Sequence, residues 1–249
     1  MEIAIALGIT IIIVIVFFGI SKPLSQTDEL KAIRLPPSGK EELLKTIARL
    51  ESGDAYASWL IGGYYEGGSI FTIAGETSFP KNAAKALWWK RKSAQDGCDM
   101  AQYNLGRMYL YGRDAGENLV EKNSDEALKW LHLAAKNGEY YSLGALGEVY
   151  FQGIGVPKDH TKSFEWFSMS INHQSAKQLG NYEAGLRLGE MYASGSGVSQ
   201  DLVQAYKWMS LAGCDPDQHH TFSLKGKLSN EEKTRALQLA DEWRKRPTA

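Results

Sequence analysis

The chain has almost no cysteine and little proline: two Cys and seven Pro in 249 residues. Two thiols cannot make a disulfide-stapled scaffold, and so little proline excludes collagen-like or Pro-rich extended sequence. An excess of charge of either sign is also missing. Lys and Arg number 28 against 29 Asp and Glu, a formal net charge of −1. Neutralising a phosphate backbone takes a basic surplus or a long basic stripe, and the chain has neither, so nucleic acid is not expected as a partner. Catalytic signatures are lacking: there is no Gly-x-Ser-x-Gly elbow, no His-Glu-x-x-His and no P-loop. The five histidines, His132, His160, His173, His219 and His220, show no metal-ligand spacing, and the adjacent pair His219-His220 does not turn both rings to one ion from a helix. No metal, cofactor or enzymatic activity is expected. What is plentiful is apolar and small, with 43% hydrophobic residues and 25 glycines. A chain of this length and composition buries a core without staples.

There is one long apolar run. From Ile3 to Ile20 no residue is charged. As a helix it spans about 27 Å, against a bilayer core of about 30 Å. A cleaved signal peptide would have a basic start, an apolar stretch of about 7–15 residues and a small-x-small cleavage site. Here the start is Met1-Glu2, and Phe17-Phe18-Gly19-Ile20-Ser21 is a poor site. Residues 1–21 therefore read as an uncleaved transmembrane anchor, and 22–39, with Pro23, Pro36 and Pro37, as a linker. Lys22, Lys31, Arg34 and Lys40 follow the run and no Lys or Arg precedes it, which by the positive-inside rule favours a cytoplasmic main domain.

The remainder repeats one unit four times. An aliphatic residue, Gly, two residues and Tyr recur as Ile61-Gly62…Tyr65, Leu105-Gly106…Tyr109, Leu146-Gly147…Tyr150 and Leu188-Gly189…Tyr192. A small residue is followed three positions on by Trp at Ala86…Trp89, Ala127…Trp130, Ser163…Trp166 and Ala205…Trp208. The glycines are 44, 41 and 42 residues apart, a period that means a two-helix unit stacked into a solenoid. At about 100° per residue, the small residue five before the Gly, the aliphatic one before it and the two residues two and three after it share one arc. In the second copy these are Ala101, Leu105, Met108 and Tyr109. That arc is the predicted core, and the Gly at its edge lets the neighbouring helix approach. The second helix carries small, Trp, apolar and small residues, as in Ala127, Trp130, Leu131 and Ala134; the first copy has Lys90 at the apolar slot. Gly153-Ile154-Gly155 and Gly195-Ser196-Gly197 lack the third glycine of a dinucleotide fingerprint and read as helix-to-helix turns. Cys98 and Cys214, in the first and fourth copies, lie too far apart to bridge and are expected as free thiols.

These residues resemble the Sel-one-like repeat family, relatives of tetratricopeptide repeats, over about residues 54–215. The resemblance implies an all-α, right-handed solenoid of two-helix repeats at about 54–98, 99–138, 139–175 and 180–215. Capping helices are expected at both ends of the solenoid, which spans 40–249. One is an entry helix over Lys40–Glu51, with Leu43, Leu44, Ile47 and Leu50 on one face. The other is a last helix over 229–245, opened by the capping box Ser229…Glu232. Long insertions separate the helices of the first copy (Gly67 to Pro80) and the second (Gly112 to Ser124), and a longer linker (Gln174 to Gly180) precedes the fourth.

Positions six and three before the repeated Gly, and one, four and five after it, face away from the core. In tetratricopeptide relatives this face lines a concave groove. Here it carries Tyr56, Trp59 and Glu66; then Met100, Tyr103, Arg107, Leu110 and Tyr111; then Tyr141, Glu148, Phe151 and Gln152; and finally Leu186 and Glu190. Tyr, Trp and Arg are the usual anchors of binding hot spots, although long side chains packed along a tightly curved groove would give the same pattern. Arg107, between Glu66 and Glu148, could be serving only an internal ion pair. The family implies binding of another protein or peptide, often in the bacterial envelope. It also implies a narrower role, an immunity protein against a secreted phospholipase toxin; a docking adaptor on the cytoplasmic face is the alternative that the flanking charges favour. A wall-cleaving enzyme is the weakest reading, because Glu66, Glu148 and Glu190 recur one per repeat rather than as a close pair. The resemblance is preferred to the flanking charges, because long domains translocate largely regardless of them, and the expectation is a scaffold held in the inner membrane with its solenoid on the periplasmic side.

Overall fold

The computed structural model describes residues 25–72, 75–112, 120–173, 183–219 and 221–246. The predicted anchor, residues 3–20, lies outside them. Among the described residues no helix is long and apolar enough to cross a membrane. The chain divides into two compact units, with the boundary between Asn82 and Ala83.

The first unit holds three helices and a hairpin: α1 (Gln26–Ala32), α2 (Pro37–Glu51), α3 (Ala55–Gly67), β1 (Ser69–Thr72) and β2 (Gly75–Ser78). Part of the expected linker is therefore a helix. Ser25 and Asp28 close a capping box at its start, Leu30 is 1% exposed, and Lys31 pairs with Glu51 of α2 at 2.7 Å. α2 begins on Pro37, where the missing N–H is harmless. It buries Leu43 and Ile47, but Leu44 is exposed, so the expected apolar face is narrower than predicted. α3 starts under Asp54, whose carboxylate accepts the Tyr56 N–H at 2.9 Å and pairs with Arg49.

The solenoid is helical as expected, but the Gly67–Pro80 insertion in the first unit adds two short strands. They form an antiparallel hairpin in which Ile70 opposes Thr77 and Phe71 opposes Glu76. Strand alternation decides which side chains pack: Ile70 is fully buried, while its neighbour Phe71 is 77% exposed. Phe79 then folds back edge-on against Tyr65, ring centres 4.9 Å apart.

The second unit is a stack of helices: α4 (Ala83–Gln95), α5 (Asp99–Tyr111), α6 (Ser124–Lys136), α7 (Tyr140–Gln152), α8 (His160–Asn172), α9 (Glu183–Ser194), α10 (Leu202–Leu211) and α11 (Asn230–Lys245). Each packs against its neighbours in sequence. The repeats observed whole here are α5–α6, α7–α8 and α9–α10; the helices of the first copy, α3 and α4, fall one in each unit. Most of the predicted core arc is buried: Ala101, Leu105 and Met108 on α5 are at most 9% exposed, as are Ala127, Leu131 and Ala134 on α6, while Tyr109 and Trp130 are only half-buried. Lys90, at the slot apolar in other copies, is also buried.

The repeated glycines do what their positions suggest. A Cβ on Gly106 would stand 2.8 Å from Leu131 Cγ, and one on Gly189 would stand 2.7 Å from Met209 Cγ and 3.2 Å from the Ala205 carbonyl. The first glycine of each Gly-x-Gly turn, Gly153 or Gly195, ends a helix at positive φ. The second, Gly155 or Gly197, also has positive φ and packs against the start of the preceding copy's second helix. A Cβ there would overlap Ser124 or the His160 carbonyl. Asn123, Asp159 and Asp201 cap the helices that follow the insertion and the turns.

At the C-terminal end, α11 opens with the expected capping box, Ser229 with Glu232. It buries Ala236, Ala240 and Trp243, and Trp243 meets Trp208 of α10 edge-on at 5.5 Å. Cys98 is buried, Cys214 half-buried, and both are free.

Candidate protein-binding groove

The second unit carries an open cavity of about 350 Å³ on the outward face of its first-position helices. One wall is α5, with Tyr103, Arg107 and Tyr111 at four-residue spacing. The floor is α7, with Tyr141, Gly144, Ala145, Glu148 and Gln152; the far wall is α9, with Glu183, Ala184 and Arg187. Tyr140, Phe167 and Ser170 complete the lining. The helical period that buries one face turns Tyr103, Arg107, Tyr111, Tyr141, Glu148 and Gln152 outward, whereas Tyr140, Phe167, Ser170 and Ala184 are buried.

Six of the expected groove residues therefore meet in one place: Tyr103, Arg107, Tyr111, Tyr141, Glu148 and Gln152. The rings of Tyr103 and Tyr141 stack across the gap between copies, centres 5.9 Å apart and 24° from parallel. The Arg107 guanidinium lies 5.6 Å from the Tyr103 ring centre and 5.9 Å from that of Tyr111, and its Nη1 donates to the Tyr103 hydroxyl at 3.4 Å. Tyr111 and Tyr141 are 51% and 43% exposed, so these aromatics are held out of the core rather than packed into it. Burial, partly offset by Arg107, raises the Tyr103 hydroxyl above its ordinary pKa.

The other expected residues lie elsewhere. Tyr56, Trp59 and Glu66 belong to α3 of the first unit, where Arg49 lies over the Tyr56 ring at 5.7 Å. Leu110 is buried in the core with Leu131 and Leu146. Phe151 packs edge-on against the His160 ring at 5.1 Å, with Arg187 over it at 5.7 Å. Leu186 packs with Met209, Leu224 and Leu228, and the His219 imidazole lies 3.8 Å from Glu190. The segment after α10 thus folds back over the fourth copy and covers the face that would otherwise extend the groove.

Glu148 does not pair with Arg107. Its partner is Arg187 of the next copy, 3.1 Å away, and Arg187 also reaches Glu190 at 3.0 Å. Burial opposes the Arg187 charge, but Glu148 and Glu190 outweigh it and hold the guanidinium above its usual pKa. Gln152 hydrogen-bonds to Glu148 as well. Two carboxylates bridged by an arginine are ion-paired, not arranged as an acid and a base. Among the described residues no group of three His, Cys, Asp or Glu is placed to hold a metal. Beside the groove, Glu139 caps α7 through the N–H groups of Tyr141 and Ser142, and burial raises its carboxyl above the usual range.

Sequence reasoning missed Arg187 and Glu183. Glu183 stands six before Gly189, the position that Met100 and Tyr141 hold in their copies, so the same register contained it. Arg187 stands two before that Gly, between the arcs, and only its contacts with Glu148 and Glu190 reveal its place.

The Sel1 repeat family model matches residues 74–98, 99–139, 140–175 and 183–216, more than half of the chain. The chain belongs to the Sel1 repeat family. Solved structures agree with the assignment. A Sel1 repeat protein from Oxalobacter formigenes is 25% identical, aligns over 85% of this chain and 79% of its own, and superposes with a TM-score of 0.56. The protein c5321, a protective antigen of uropathogenic Escherichia coli strains with an SLR fold, is 27% identical with a TM-score of 0.59. The alignment takes in 82% of this Sel1 repeat chain but only 41% of that antigen's length. The immunity protein Pa5087 of Pseudomonas aeruginosa aligns over 92% of this chain at 16% identity and a TM-score of 0.39, a likeness too slight to carry an argument. No curated protein matches the sequence significantly. Sel1 repeats are protein-interaction scaffolds, and this chain has the helical repeat architecture of one.

Proposed function

We propose that this Sel1 repeat chain is a non-catalytic scaffold that holds a partner protein in the groove of its second unit. Residues 3–20 tether it to the inner membrane, with the repeats on the periplasmic side. The observation that carries the proposal is the exposed aromatic cluster, in which Tyr103 and Tyr111 flank Arg107 and Tyr141 stacks on Tyr103 beside an open cavity. Large aromatic side chains with a polar end, held half-exposed around an arginine, are the side chains that dominate binding energy at protein interfaces. A merely solvated helix face would carry Lys and Glu. The tether rests on the uncharged run from Ile3 to Ile20, and its orientation on the family's association with the bacterial envelope.

The test is quantitative affinity capture of the full chain from envelope preparations, comparing wild type with the double variant Tyr103→Ala/Tyr141→Ala. At least one co-purifying protein is expected to fall tenfold or more, since losing two hot-spot side chains of about 1–2 kcal/mol each exceeds a factor of ten. Both side chains reach the surface, so the circular dichroism of the variant should match wild type. Identical recovery of every partner by the two proteins removes the groove from the account.

A further inference from the structure

We infer that the partner enters the groove through a segment bearing an acidic side chain, and that Arg107 receives its carboxylate. This rests on the reading of the groove as a protein-binding site and adds what it recognises.

The two guanidinium groups of the groove differ in state. Arg187 is satisfied by Glu148 and Glu190, at 3.1 and 3.0 Å. Arg107 is exposed, and among the described residues no carboxylate pairs with it. Its contacts there are aromatic, with Tyr103 and Tyr111. A guanidinium resting on ring faces is oriented without its charge being neutralised, and most of its five N–H donors stay open for a carboxylate to accept in pairs. Glu148 does not compete, because Arg187 and Gln152 both engage it.

The neighbouring surface fits what would flank such a carboxylate. The same cavity is lined by Gly144 and Ala145, and a Cβ added at Gly144 would meet nothing nearer than Ser170 Oγ at 3.6 Å. A partner backbone can therefore lie close. The stacked pair Tyr103–Tyr141 and the exposed Tyr111 offer ring faces on either side for apolar or aromatic neighbours.

The experiment uses the full chain in detergent micelles and a display library of random linear peptides. Selection is run in parallel on wild type, R107Q and the variant Y103A/Y141A. The expected winners on wild type carry Asp or Glu beside an aromatic or large apolar residue and are lost on Y103A/Y141A. A synthetic winner should bind R107Q at least tenfold more weakly. Changing its acidic residue to the amide should cost the same on wild type and little on R107Q, the signature of a direct pair. Affinity should fall as salt rises. Winners that need Tyr103 and Tyr141 but lack an acidic residue, or that ignore R107Q, overturn the carboxylate assignment and leave the groove as a binding site. An empty selection, or winners equally good on Y103A/Y141A, overturn both.

Discussion

Replacing Trp243 with Ala is expected to lower the stability of the second unit by about 4 kcal/mol, the middle of the range for removing a buried aromatic. The side chain is 4% exposed and sits in one cluster with Phe167, Leu188, Trp208 and Ala240. It fastens α11 to the last repeats in two ways: an edge-on contact with Trp208 and a hydrogen bond from the indole N–H to Asn172 Oδ1 at 3.2 Å. A solenoid's terminal repeat has no further repeat to cover it, so a cap helix must bury the apolar face left at the end. Trp243→Phe keeps most of the area and the ring contact but loses the hydrogen bond, and should cost about 1–2 kcal/mol. Urea unfolding followed by circular dichroism measures both. A loss below about 1 kcal/mol for the alanine variant, a third or less of what emptying such a site costs, would mean that α11 does not close the stack.

The second large effect is expected at Gly197. Changing it to Ala combines two costs. The backbone is left-handed, φ +74°, which disfavours a residue with a side chain by about 1–2 kcal/mol. The new Cβ would also overlap the His160 carbonyl and stand 2.8 Å from the Thr161 nitrogen. Those are backbone atoms at the start of α8 and cannot rotate aside, so overpacking adds about 1–3 kcal/mol. A total near 3 kcal/mol follows. Gly195→Ala is the control. Its φ is +73°, but the nearest atom is Gln200 Cβ at 3.5 Å, so it should cost only the conformational part, about 1 kcal/mol. Equal losses at the two positions in thermal or urea unfolding would mean that the turn does not seat on the preceding copy.

Much of this architecture was legible because each repeat states the same constraint again. Gly106, Gly147 and Gly189 mark where helices cross closely, and Ala127 and Ala205 mark what they cross. Periodicity alone cannot show what happens where the repeat is interrupted. The Gly67–Pro80 insertion has only the alternation of Ile70 and Phe71 to announce a hairpin, too short a signal to outweigh the helices around it. The helix before α2 was hidden for another reason: its seven residues bury one leucine, and prolines flank the segment. In the groove, the register placed Tyr103, Arg107, Tyr111, Tyr141, Glu148 and Gln152 on one face. It could not show that the segment following α10 returns over Leu186 and approaches Glu190, because that contact joins residues some thirty positions apart with no repeat between them. Nor could it choose which arginine pairs with Glu148. Arg107 and Arg187 are both within reach by spacing, and only geometry gives the carboxylate to Arg187 and leaves Arg107 among tyrosines.

On the proposed function, the partner docks against the α5–α7 face of the second unit. In-cell photo-crosslinking of the full chain tests it most directly, with a photoreactive phenylalanine at Tyr111 beside the cavity and, as a control, at Leu237, which is 47% exposed on α11. A discrete adduct is expected from position 111 and none of the same mass from 237, and the adduct should disappear when Tyr103→Ala/Tyr141→Ala is added. No adduct from 111, or one that survives the double variant, would contradict it.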